Sequence, residues 1–156
     1  MRKINFVNYC QKRFVKKSFV EDVSSFILSE MGEDKVEVSV VLCGNDRMRE
    51  YNRMFRGKDY PTDVLSFPDG EKMGRYMYLG DVVISVDKVY EQSVEEGISP
   101  LEEFVRLLVH GILHLLGYDH EKSESDERRM MKLQETIVDR VLGKFLGSWR
   151  EKEQKR

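Results

Sequence analysis

Apolar positions along the chain follow two periods. Val36, Val38, Val40 and Leu42 alternate with the residues between them and predict a half-buried strand over 35–42. Met130, Leu133, Ile137, Val141 and Phe145 recur every three or four residues and predict a helix over 124–146. Alternation through Ile4 and Phe6 adds an amino-terminal strand over 2–9. Ser18-Phe19-Val20-Glu21 reads as a capping box opening a helix that ends near Gly32 and buries Phe19, Val23, Phe26 and Ile27. Asn45 is placed to cap a second helix carrying Met48, Tyr51 and Phe55 and closed by Gly57. A short strand over 64–67 is expected to stop at the turn signal Pro68-Asp69-Gly70. The apolar run Val82-Val83-Ile84 marks 76–86 as a strand buried on both faces. A short helix follows over 87–96, ended by Gly97. Ser99-Pro100-Leu101-Glu102 then supplies N-cap, first-turn proline and N3 glutamate for a helix that reaches Leu116 and stops at Gly117. These elements predict one α+β domain over residues 1–150, with about four strands in a mixed sheet and about five helices, and a frayed tail over 151–156.

Composition narrows the class. The 156 residues suit a single core of ordinary size, and 40% hydrophobic with 35% charged residues excludes a disordered chain. The most apolar stretch, 104–116, is broken by Arg106, His110 and His114, so no membrane span is expected, and the start of the chain lacks an apolar signal core. A cytoplasmic location follows as the expectation. Cys10 and Cys43 lie in no CxxC pattern and are read as ordinary thiols. A formal net charge of −2 gives no global attraction for nucleic acid, so any RNA contact needs local basic patches.

All three histidines fall in the string His110-Gly111-Ile112-Leu113-His114-Leu115-Leu116-Gly117-Tyr118-Asp119-His120. Four residues apart on a helix, His110 and His114 stand one turn above the other, where their rings can converge on one ion. Gly117 ends the helix and lets the chain turn so that His120 returns toward the same point. Three nitrogen ligands without an obvious fourth match a catalytic Zn²⁺, one per chain, with an open position, although three imidazoles also accept Cu²⁺, Ni²⁺ or Co²⁺. The bland alternative is a structural zinc completed by a cysteine that the fold brings in. Gly111 stands where HExxH peptidases carry their general-base glutamate, which argues against peptide hydrolysis by that route. No other side chain declares itself as base.

The same string, together with Arg56-Gly57-Lys58-Asp59-Tyr60-Pro61-Thr62-Asp63-Val64-Leu65-Ser66-Phe67-Pro68 and Leu79-Gly80-Asp81-Val82-Val83-Ile84-Ser85, resembles the bacterial YbeY endoribonucleases, also called rRNA maturation factors. The resemblance implies a hydrolytic zinc enzyme acting on single-stranded RNA in small-subunit ribosomal RNA processing and ribosome quality control. Its partners would be RNA and the small ribosomal subunit, with neither DNA nor membrane expected. It carries the metal ligands onto His110, His114 and His120, and the functionally important arginine onto Arg56. The catalytic residues expected are therefore Arg56 and His114, in a mechanism where zinc-activated water attacks the phosphodiester and Arg56 stabilises charge on phosphorus. A ribose 2′-hydroxyl nucleophile remains open. So do two rival functions: a zinc hydrolase of peptides or small molecules, and a non-catalytic RNA-binding assembly factor stiffened by zinc. Arg47, Arg49, Arg53 and Lys58 could extend a basic strip, or simply form a solvated face. Tyr60 and Phe67 could stack on bases, with core packing favoured for Phe67. Asp119 could orient a ligand histidine or shape the turn. Buried Asp81 and Ser85 need hydrogen-bonding partners.

Overall fold

The computed structural model describes residues 1–118 and 123–146. In chain order the elements are β1 (Arg2–Asn8), α1 (Lys17–Glu30), β2 (Val36–Cys43), α2 (Asn45–Arg56), β3 (Val64–Met73), β4 (Tyr76–Ser85), α3 (Val86–Glu96), α4 (Pro100–Leu115) and α5 (Glu124–Phe145). The four strands form one mixed sheet in the order β1-β2-β4-β3. β1 and β4 run parallel to β2, while β3 pairs antiparallel with β4 and forms an edge. The predicted α+β class, the four strands and the five helices are all present.

Alternation in β2 sorts the core. Val36, Val38, Val40 and Leu42 join Val82 and Ile84 of β4 and the apolar stripes of α1, α4 and α5 in one large cluster. Val83, Leu65 and Cys43 face the opposite side and meet Met48 of α2 in a smaller one. α4 is the central helix, with Phe104, Val105, Leu108, Val109, Ile112 and Leu113 each fully buried. Removing such a side chain from water contributes roughly 1.5–3 kcal/mol, so this helix anchors the fold.

α4 lies tightly against the sheet at Gly111. A Cβ there would lie 2.5 Å from Cγ1 of Val82 and 3.3 Å from Cγ2 of Val64. Val82 is stiff about χ1, so it cannot easily swing aside. On β3, the Ser66 hydroxyl donates to the Gly111 carbonyl at 3.0 Å, fixing the helix on the edge strand as well.

Several local expectations need correction. α1 begins one residue before Ser18, with Lys16 as N-cap and no side-chain cap, so the predicted capping box does not form. Val23 and Ile27 are buried as expected, but Phe19 and Phe26 are only half-buried, in edge contact with Phe145. Gly44, not Asn45, occupies the N-cap of α2, and Asn45 instead accepts a hydrogen bond from the Ser85 hydroxyl at 2.8 Å. β3 does not stop at Pro68: the strand absorbs Asp69 and Gly70 as an irregularity in register and continues to Met73, because an edge strand tolerates a residue without N–H. β4 is buried on both faces at 79–80 and 82–85, but not along its whole length, with Met77 exposed and Asp81 half-buried. The tail at 151–156 lies outside the described residues.

Gly111→Ala gains up to about 1 kcal/mol of helix propensity but overpacks the helix–sheet contact at a typical cost of about 1–3 kcal/mol. A net loss is therefore expected in urea unfolding. Adding Val82→Ala should recover part of it, so the double variant loses less than the sum of the two single variants.

Candidate metal centre

α4 delivers the first two histidines of the cluster to one point. Nε2 of His110 and Nε2 of His114 lie 3.1 Å apart, with ring centroids 4.6 Å apart and planes inclined at 66°. Two nitrogens bound at about 2.0–2.1 Å to a tetrahedral ion stand about 3.3 Å apart, so the pair is already spaced as metal ligands require. The donor chemistry fits as well, since Nδ1 of His110 meets the side-chain oxygen of Gln134 at 2.7 Å while Nε2 is the nitrogen that faces His114.

The helix ends as the sequence pattern predicts. Gly117 takes φ +97°, its N–H meets the His114 carbonyl at 3.0 Å, and the Tyr118 N–H meets the Leu113 carbonyl at 3.0 Å. This Schellman closure reverses the chain directly after His114. His120, expected as the third ligand, and Asp119, read either as orienting a ligand histidine or as shaping the turn, lie outside the described residues. Among the described residues no group of three or more His, Cys, Asp or Glu side chains gathers as a metal site. Cys10 is half-buried and Cys43 buried, and burial raises both thiols, Cys43 to about 12, as befits core residues.

A cleft of about 600 Å³ opens beside His110, lined by Val64, Gln134 and a group of charged side chains. Asp63, Glu96, Glu103 and Glu135 supply its acidity, and Arg106 is its one Lys or Arg among the described residues. Arg106 binds Glu135 through two nitrogens at 3.0 and 3.1 Å, while the Gln92 amide bridges Asp63 at 3.2 Å and Glu103 at 3.4 Å. Sequence periodicity does not reveal this network, whose members lie on different elements. Gln134 left a better trace: it stands four residues after Met130 and four before Val138, a polar residue on an otherwise apolar stripe.

Arg56 closes α2 and is exposed, in the last helical turn where a cation also favours the carbonyl end. It does not line the cleft at His110. The loop 57–63 joins the two regions and is tied back to α2: the Asn52 amide donates to the Tyr60 carbonyl at 2.8 Å, and Arg49 donates to both carboxylate oxygens of Asp59 at 2.9 and 3.1 Å. Arg49 is thus engaged, and Arg47 lies 3.8 Å over the ring of Tyr9. Arg53 and Lys58 are exposed beside Arg56. Tyr60 is exposed, whereas half-buried Phe67 packs edge-on against Phe55 at 5.1 Å. The polar residues of β4 have local duties. Tyr78 donates to Asp81, and Ser85 caps α3 by accepting from the Lys88 N–H at 3.3 Å.

Burial raises the pKa of Glu103 above its ordinary 4.5, against the opposing pull of Arg106 and with the help of Asp63, Glu96 and Glu135. The folded protein therefore keeps this proton at pH values where the unfolded chain has lost it. Stability falls as pH rises from 4.5 through the folded pKa, then levels off. Glu103→Gln removes that loss, so urea midpoints measured between about pH 4 and 7 should show the variant gaining on the parent protein as pH rises.

Comparison with known proteins identifies the family. The family model described as Endoribonuclease YbeY matches residues 5–142. The chain is 51% identical over 128 residues to endoribonuclease YbeY of Sulfurihydrogenibium sp. (strain YO3AOP1), covering 81% of this chain and 84% of that protein. It is 47% identical over 135 residues to the protein of the same name from Persephonella marina, covering 85% and 88%. The solution structure of TM1509 from Thermotoga maritima superimposes with a TM-score of 0.66 at 30% identity, over 98% of this chain and 95% of that one. With a histidine pair spaced for an ion and a family match spanning nearly all its elements, the chain belongs to the YbeY endoribonuclease family.

Proposed function

We propose that this protein is a zinc-dependent endoribonuclease that cuts single-stranded RNA during small-subunit ribosomal RNA maturation in the cytoplasm. His110, His114 and His120 hold one zinc ion, and Arg56 binds the reacting phosphate. The observation that carries the reading is the Nε2 pair at 3.1 Å, in a chain whose relatives are named endoribonucleases. When bound, zinc supplies Lewis acidity that polarises a phosphoryl oxygen and lowers the pKa of water.

The side chains of this protein divide the remaining work. His110 and His114 present imidazole nitrogens from a helix whose depth is set by the sheet. Arg56 offers a planar guanidinium able to bind two phosphate oxygens and to stabilise charge that develops on them. Exposed Arg53, Arg56 and Lys58, at the end of α2 and the start of the 57–63 loop, offer the local positive charge that attracts the phosphate backbone of RNA. No helix among the described residues is long and apolar enough to cross a membrane.

Metal-defined cleavage of single-stranded and structured RNA tests the reading. With zinc restored, the parent protein should cut single-stranded RNA, His114→Ala should fall to background, and Arg56→Ala should lose about 100- to 1,000-fold, as for removal of one oxyanion-stabilising donor. Equal activity in all three would trace the cleavage to a contaminating nuclease. Cyclic phosphate ends on the product would identify the ribose 2′-hydroxyl as nucleophile.

A further inference from the structure

We infer that Gln134 is a positioning residue that fixes the protonation pattern and orientation of His110 and thereby readies it for the metal. The inference rests on the reading of His110 and His114 as ligands of one ion. Gln134 is only 4% exposed and occupies a core position of α5, where an amide without a partner would cost free energy. Its side-chain oxygen lies 2.7 Å from Nδ1 of His110. An amide oxygen accepts and does not donate, so the ring nitrogen facing it carries the proton. The neutral ring then has its lone pair on Nε2, the atom 3.1 Å from Nε2 of His114. Without that acceptor the ring could place its proton on Nε2 instead, or rotate away from its partner.

α5 is keyed to α4 so that this contact is reproducible. Arg106 lies one turn before His110, and its two hydrogen bonds to Glu135, at 3.0 and 3.1 Å, hold the residue next to Gln134. Two ties at one-turn spacing therefore set both the distance and the register of α5 against the histidine helix. The first gains from charge, and the second selects the tautomer.

The test uses the full chain, zinc alone as probe and competition with a chromophoric chelator. Gln134→Leu removes the acceptor and should weaken zinc binding about 10- to 100-fold, the usual effect of losing a partner behind a metal ligand. Gln134→Glu keeps an oxygen acceptor and should retain the affinity. Thermal unfolding of the metal-free proteins should show Gln134→Leu as stable as the parent, which separates ligand positioning from packing. Should the leucine variant misfold, Gln134→Met, similar in length, takes its place. Zinc binding by Gln134→Leu as tight as that of the parent overturns the role of Gln134 alone, and so does a Gln134→Glu variant as weak as the leucine one. A parent protein that binds no zinc overturns the metal reading, and the role of Gln134 with it.

Discussion

The distance between α4 and the sheet is the constraint on which the site depends. Where Gly111 meets Val82 there is no room for even a methyl group, so the helix lies deeper than side-chain packing would ordinarily allow. That depth determines where His110 and His114, on either side of the glycine, present their rings. It also brings the helix backbone within reach of Ser66 on the edge strand. The residue that stands in the general-base position of zinc peptidases is thus a packing residue: a glutamate side chain would collide with the sheet. Active-site chemistry and core packing are in this way decided at one position.

A second layer of control comes from α5. The helix contributes apolar residues such as Ile137, Val138 and Val141 to the main core, and its polar pair Gln134 and Glu135 to α4. Burying Gln134 is tolerable because it is hydrogen-bonded, and the bonds this pair makes are specific where apolar contacts are not. The acidic surroundings of Arg106 have a cost as well. Glu103 is held in a place that resists its ionisation, a local sacrifice of stability at neutral pH beside the site.

Much of this was legible in the sequence, for reasons that can be traced to particular residues. Alternation in β2 and the helical stripe of α5 report one buried face each, and the structure has both. Ser99 and Pro100 start α4, and Gly117 ends it, because caps act through neighbouring backbone groups. The convergence of His110 and His114 follows from helical spacing alone. What escaped depended on contacts between distant elements. Ser18 has the composition of a capping box but its helix starts earlier, and Pro68 looks like a terminator until the strand is known to be at an edge. The Asp63–Gln92–Glu103 network joins the loop before β3 to α3 and α4, and neither propensity nor period reports it.

The edge position of β3 has one further consequence. A sheet that ends in an open strand offers unpaired backbone groups on which a second chain can grow, the route by which many β-rich proteins self-associate. Here the outer half of that strand carries Pro68, which has no N–H to give, the register irregularity that follows it, and the charged run Asp69, Glu71 and Lys72, all exposed. The outer half of this margin of the sheet is therefore a poor template for strand addition, so that end of β3 resists pairing with a second chain.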